Sequence, residues 1–317
     1  MEFQDEPACR LTSRSRWGSD TPVPIADLLR AHGLAPKKRF GQNFLADPHA
    51  ARLIAEAATT PPGGTVLEIG AGLGALTRPL LERAARVIAI ERDRDLVPIL
   101  TGELVTAVEA EKLSIVEADA LDVDWAAAVA PGPRPHVVAG NLPYLYTGKM
   151  LERCVGLAGV LDRAVFMVQV EVADRLAARP DTEAYGALTV FTQAAFQVQK
   201  ILGVKGGAFY PRPEVDSAVV LLVPHRPLRA VETVAFRTAV KAAFGARRKT
   251  LRNAWKGIYG WPREVLEERA KEAGISLDAR GETLAVEDFA RLAAMGAPEA
   301  GEPQPPAQPA PSDPDGS

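Results

Sequence analysis

Cysteine is nearly absent from this 317-residue chain: Cys9 and Cys154 are the only two. That scarcity excludes a disulfide framework and a cysteine-based zinc site. Cys9 stands in a polar N-terminal stretch and Cys154 in an apolar, helix-like one, so both read as free thiols of a reducing compartment. No metal site is expected. No apolar run is long enough to cross a bilayer. The opening MEFQDEPACR lacks the basic start and apolar stretch of a secretory signal, and its acids argue against a mitochondrial transit peptide. A cytoplasmic location is the expectation. Strong charge of one sign is missing too. The formal net charge is −3, so a polyanionic partner is not advertised by the total and must be argued from local clusters.

What the chain does have is core-forming material, with 47% hydrophobic and 24% charged residues. Its length favours a large domain with a smaller one. Residues 1–21 are polar and unpatterned and read as a loose tail. From Ala297 the sequence runs APEAGEPQPPAQPAPSDPDGS, a Pro-rich acidic tail that cannot bury enough apolar surface to order itself. Between the tails, strand-like runs (Thr65–Gly70, Arg86–Ile90, Leu113–Val116, His136–Ala139, Ala164–Val168) alternate with helical spacing (Ala75–Ala85, Asp95–Val108, VEVADRLAA). Gln197–Val204 and Ser217–Val223 read as an antiparallel pair at a sheet edge. The alternation predicts an α/β fold, a doubly wound, mostly parallel sheet over 22–228, with ligands at the carboxyl ends of its strands. From about Val231 the pattern turns purely helical, which predicts a small all-α domain over 229–296.

The segment Glu68-Ile-Gly-Ala-Gly-Leu-Gly-Ala75 follows the first strand and opens a helix. Its glycines allow a tight turn and a close ligand approach. The spacing is ExGxGxG rather than the GxGxxG of dinucleotide enzymes, a form that resembles class I methyltransferases. Glu91 ends the second strand, where a carboxylate accepts from ribose hydroxyls. The third strand leads to Glu117-Ala-Asp119, and a carboxylate there could accept from an adenine amine.

The fourth strand runs into Gly140-Asn141-Leu142-Pro143-Tyr144. This resembles the Asn/Asp-x-Pro-Tyr/Phe loop of enzymes that methylate amino groups conjugated to a base. The lone pair of such an amine is delocalised into the ring and is a poor nucleophile. The Asn141 amide oxygen and the Leu142 carbonyl can accept its two hydrogens, which favours a tetrahedral nitrogen. Pro143 fixes φ and removes a competing donor. Tyr144 offers a face for a splayed-out base, worth about 1–3 kcal/mol. Rate would come from alignment and oriented dipoles.

Lys37-Lys-Arg-Phe-Gly-Gln-Asn-Phe-Leu45, the glycine loop, Gly140–Tyr144, Phe209-Tyr-Pro-Arg-Pro-Glu-Val-Asp-Ser217 and Phe244-Gly-Ala-Arg-Arg-Lys-Thr-Leu-Arg-Asn253 together resemble the small-subunit ribosomal RNA adenine N6,N6-dimethyltransferase family of the KsgA/RsmA type. The motifs run in the family's order over about residues 37–290. The resemblance implies S-adenosyl-L-methionine as cofactor and, as target, two adjacent adenosines near the 3′ end of small-subunit rRNA in an assembling ribosomal particle. It implies that Asn43 and Leu45 close over the cofactor. Gly70, Glu91 and Asp119 would bind its methionine end, ribose and adenine, and Asn141 would reach both the methyl donor and the target amine. Tyr144 and Phe209 would sandwich the flipped adenine. Two departures stand out. Leu145-Tyr-Thr-Gly-Lys149 replaces the family's Asn-Ile-Ser/Thr, and Glu214 stands where Lys is usual.

Thr233–Arg263 holds no acid but contains Arg237, Lys241, Arg247, Arg248, Lys249, Arg252, Lys256 and Arg263. Arg248, Arg252 and Lys256 recur at helical spacing, with Trp255 interleaved. Lys37, Lys38 and Arg39 form a second basic cluster. Both clusters are expected to hold an RNA backbone, in a protein expected to act as a monomer. Three rivals stand beside this reading. One is the sister family that dimethylates large-subunit rRNA, against which Arg247–Asn253 weighs. Another is a non-catalytic RNA-binding assembly factor, against which the intact Asn-Leu-Pro-Tyr weighs. The third is a nicotinamide dehydrogenase, which the glycine spacing fits poorly.

Overall fold

The computed structural model describes residues 24–246 and 248–296. The two expected tails, Cys9 and Arg247 lie outside the described residues. The chain divides into two compact units, with the boundary between Val231 and Glu232, slightly beyond the position the sequence pattern implied.

In the first unit the strands are β1 (Phe44–Leu45), β2 (Thr65–Ile69), β3 (Arg86–Glu91), β4 (Leu113–Glu117), β5 (His136–Asn141), β6 (Arg163–Gln169), β7 (Phe196–Val204), β8 (Phe209–Tyr210) and β9 (Ser217–Pro224). The helices are α1 (Ile25–Ala31), α2 (Pro48–Ala58), α3 (Thr77–Arg83), α4 (Val97–Glu103), α5 (Val105–Glu109), α6 (Trp125–Val129), α7 (Thr147–Gly156), α8 (Val170–Leu176) and α9 (Ala187–Ala195). The main sheet has the order β4-β3-β2-β5-β6-β9-β7. Its first five strands are parallel, and β9 enters antiparallel between β6 and β7. The strand order reverses beside β2, between β2 and β5, which is where a crevice opens at the strand ends.

Strand alternation builds two cores. Leu67, Ile69, Ile88, Ile90, Val138 and Phe166 face one way, packed with Trp125, Leu151 and Leu176 of the flanking helices. Val66, Val87, Ala89, Val137 and Val165 face the other way, packed with Ile54, Ala55 and Leu80. Period-2 side-chain direction on a sheet covered on both faces favours apolar residues at most strand positions, which is why the strands read as near-continuous runs. The predicted helix over 95–108 is two helices, broken at Leu104 (φ −120°, ψ 23°). Helix α2 starts as its sequence dictates: Asp47 accepts from the N–H groups of His49 (2.8 Å) and Ala50 (3.3 Å), and Pro48 takes the first turn.

The second unit contains α10 (Val234–Gly245), α11 (Leu251–Ala254), α12 (Arg263–Glu272) and α13 (Val286–Gly296). Its centre is Trp255, fully buried, with its indole N–H donating to the Ala239 carbonyl at 2.9 Å and its ring edge-on to Phe289.

Candidate active site

Three strand ends and one N-terminal segment enclose a cleft of about 920 Å³, its open mouth included. Gly70, Glu91, Asn141 and Tyr144 all line it, together with Asn43 and Leu45. The glycine turn after β2 is left-handed at Gly70 (φ +74°) and Gly72 (φ +57°). At Gly72 an added side-chain carbon would lie 3.3 Å from the Phe44 ring, so the turn and the N-terminal segment pack directly on one another. Gly140 is required for a different reason. A carbon there would sit 2.5 Å from the Ile69 carbonyl oxygen of the neighbouring strand. Close approach of β5 to β2 therefore sets the position of Asn141, the next residue.

Asn141 ends β5 half-buried, and its side-chain amide N–H donates to the Asn43 carbonyl at 2.9 Å. One of the two N–H donors is thereby held by the protein, which orients the amide, and the amide oxygen is the acceptor left for a ligand. Leu142 is buried and anchored through its N–H to the Met167 carbonyl at 3.0 Å. The Pro143 carbonyl accepts from the Tyr146 N–H and the Thr147 hydroxyl, both at 3.0 Å, which closes the loop into the start of α7. Tyr144 is half-buried on the cleft wall, with its hydroxyl 3.4 Å from that of Ser217. Leu145 next to it is 70% exposed.

Two carboxylates, Glu68 and Glu91, also line the cleft. The Glu91 carboxylate is buried and accepts from the Gly72 and Asp93 N–H groups, each at 2.8 Å. Burial pushes its pKa up, and those backbone donors work against the rise. Glu68 lies in the middle of a buried strand, and sequence reasoning gave it no role. Burial pushes its pKa up to about 7, the nearby Thr77 hydroxyl works the other way, and the Glu91 charge adds to the rise. Its Oε2 is buried without a hydrogen-bond partner among the described residues. A charged residue inside the apolar run Thr65-Val-Leu-Glu-Ile69 was the available signal. A buried carboxylate oxygen lacking a donor, on the wall of an acidic cleft, fits a cationic ligand.

The other predicted site residues fall elsewhere. Asp119 is not on the cleft wall. Its carboxylate pairs with Arg92 at 3.3 Å and accepts from the Leu121 N–H at 3.0 Å. Arg92 lines the cleft in its place, with its guanidinium over the rings of Phe40 (4.6 Å) and Tyr146 (5.3 Å). Phe209 is 5% exposed in the core with Leu45 and Ile54, and it does not line the cleft. Its neighbour Tyr210 in the β1–β8 pair is the exposed ring.

The basic clusters need correcting in three respects. Lys37 is not a free cation: its ammonium lies 2.5 Å from both Asp93 and Asp95. Arg252 is paired with Glu267 (2.7 Å) and Asp278 (3.1 Å), acids that lie outside the acid-free stretch but close in space. Nor do Arg248, Arg252 and Lys256 share a helix face. Helix α11 spans only Leu251–Ala254, Gly257 turns left-handed just beyond it, and Trp255 is core. Lys38, Arg39, Arg248, Lys249 and Lys256 are exposed.

A cleft that is acidic where a sulfonium would lie, and lined by an amide at the strand end where an amine would be offered, belongs to a class I methyltransferase. The family description ribosomal RNA adenine dimethylase matches residues 33–297. A relative from Anaeromyxobacter sp. (strain K), named Ribosomal RNA small subunit methyltransferase A, is 44% identical over 276 residues, 86% of this chain and 96% of that protein. The crystal structure of a dimethyladenosine transferase from Plasmodium falciparum is similar with a TM-score of 0.68 at 23% identity, over 78% of this chain and 95% of that one. That of the 23S rRNA methyltransferase ErmE gives a TM-score of 0.60 at 29% identity, over 80% and 98%. The chain belongs to the ribosomal RNA adenine dimethylase family. It is an S-adenosylmethionine-dependent rRNA adenine dimethyltransferase.

Proposed function

We propose that this enzyme dimethylates N6 of two adjacent adenosines near the 3′ end of small-subunit rRNA, during assembly of the subunit. The observation that carries the reading is the hydrogen bond from the Asn141 amide nitrogen to Asn43, beside Gly70 and Glu91. With the nitrogen held, Asn141 Oδ1 accepts one hydrogen of the target amine, and the Leu142 carbonyl accepts the other. The amine is thus held with its lone pair directed into the cleft. Tyr144 stacks on the extruded base. Glu91 would accept from the ribose hydroxyls of the cofactor, the turn at Gly70 would admit its methionine end, and Asn43 and Leu45 would cover it. Asp119, at the end of β4, would be the carboxylate that accepts from its adenine amine. When bound, S-adenosylmethionine supplies an electrophilic methyl. The amine would take the methyl as the methyl–sulfur bond breaks, leaving S-adenosylhomocysteine, and would shed one proton to solvent; the monomethyl product is accepted once more.

The phosphate contacts fall to the exposed cations Lys38, Arg39, Arg248 and Lys249, with Arg247 named by the sequence alone. Lys37 and Arg252 are held in ion pairs and contribute less. The enzyme acts as a monomer in the cytoplasm, and among the described residues no helix is long and apolar enough to cross a membrane. Relatives named for the small subunit, 44% identical over most of the chain, support the small subunit as substrate. Labelled-methyl transfer to purified small and large subunits tests this, with mass spectrometry of small-subunit rRNA from a deletion strain. Label on the large subunit alone, or dimethyladenosine persisting in the deletion strain, would overturn it.

A further inference from the structure

Residues 37–45 form a strap whose Phe40–Leu45 part lines the cleft, and one buried carboxylate ties it down. Asp93 is 2% exposed. Its Oδ1 receives the Lys37 ammonium at 2.5 Å and its Oδ2 the Gln42 side-chain amide at 2.8 Å. The other end of that amide accepts from the Lys37 N–H at 2.8 Å, so Lys37 and Gln42 form one closed unit. Asp95 adds a second carboxylate to Lys37, also at 2.5 Å. The same Asp93 donates its N–H to Glu91, whose other oxygen holds the Gly72 N–H of the cofactor turn. At the far end of the strap, the residue after Gln42 is Asn43, whose carbonyl holds the Asn141 amide. An unbroken series of hydrogen bonds and one short stretch of backbone therefore joins the glycine turn to the catalytic loop through Glu91, Asp93, Gln42 and Asn43. Burial alone pushes the Asp93 carboxyl up, and Lys37 and Gln42 more than reverse this, so it is held below the usual range.

We propose that Lys37 and Asp93 are positioning residues for methyl transfer: their ion pair seats the strap so that the Asn43 carbonyl holds Asn141 in register with the cofactor turn. Lys37 thus serves the reaction through Asn141 rather than through RNA phosphate. The proposal rests on the assignment of Asn141 to the target amine. An amide misplaced by a fraction of an ångström loses its advantage in the transition state while RNA affinity is unaffected, because the strap's ion pair is made within the protein.

The test compares K37M, D93N, K37M/D93N and K37R in the full-length protein, with small-subunit particles as substrate and N141A alongside. Rates are expressed per cofactor-binding site, which discounts any misfolded fraction. K37M and D93N are expected to lower kcat about 10- to 100-fold, with RNA Kd and its salt dependence unchanged. The double variant should lose little more than either single one, and K37R should recover most of the rate. If K37M instead weakens RNA binding and flattens its salt dependence while keeping kcat, Lys37 is a phosphate contact and the proposal is wrong. Unchanged kcat in both single variants overturns it as well. Normal turnover by N141A is a different failure, that of the active-site assignment itself.

Discussion

The Asn141 side-chain amide and the Asn43 main-chain carbonyl, 98 residues apart in the chain, meet at 2.9 Å. The bond settles which end of the amide faces the cleft. It also joins the end of β5 to the N-terminal segment that lines the cleft.

Asn141→Ala removes the acceptor for the amine and releases the strap from the loop. Transfer should fall at least about 10²-fold, the scale of losing one preorganised polar group. Cofactor affinity should change far less, because Gly70 and Glu91 are untouched. Single-turnover methyl transfer, with cofactor titration by calorimetry, checks both halves.

Glu68 should make cofactor binding depend on pH. Its pKa is raised to about 7 by burial, and a cationic ligand favours its ionised form, so binding expels a proton below that pH. Affinity for S-adenosylmethionine should rise by at most about tenfold per pH unit up to neutrality and level off above. In the free protein the sign is opposite. A folded-state pKa above the ordinary value gives stability present at low pH and lost as pH rises through about 7. Glu68→Gln should flatten both profiles, as measured by calorimetry and by thermal melts from acid to alkaline buffer.

Gly140→Ala tests how the catalytic loop is set. The new carbon would meet the Ile69 carbonyl oxygen at 2.5 Å, and neither strand can yield without disturbing the sheet. A loss of about 1–3 kcal/mol is expected, as for overpacking, with a lower Tm and a larger fractional loss of activity than of stability. Paired denaturation and turnover measurements decide it.

Tyr144→Phe should be nearly silent, since its hydroxyl makes only a long contact to Ser217. Tyr144→Ala should cost about 1–3 kcal/mol of target stacking, read as a raised KM for RNA with cofactor binding preserved.

Charge removal at Arg248 and Lys249 should weaken RNA binding and lower the slope of log K against log salt by about 0.7–0.9 per lost phosphate contact. Arg252→Ala should change that slope less and Tm more, because Arg252 is already held by Glu267 and Asp278. Filter binding across a salt series separates the two behaviours.

The alternation of strands and helices, the glycine turn, Glu91 and the Asn-Leu-Pro-Tyr loop were all legible in the sequence. Each depends on neighbours within a few positions: a turn that needs glycine, a strand end, a side-chain period. That local information was enough to predict the doubly wound sheet and to name residues that meet in one cleft. What the pattern could not reveal was charge pairing across the fold. Lys37 looked like one of three free cations until folding brought Asp93 and Asp95 to it, and an acid-free stretch of sequence did not leave Arg252 without acids in space. Phe209 looked available for stacking, yet packing put it in a core. Glu68 was visible as a letter in a motif, but its raised pKa arises from burial between strands. Sequence order determined the elements and the reactive loop; only tertiary structure decided which polar groups are already spent on one another, because electrostatics and burial act through distance rather than along the chain.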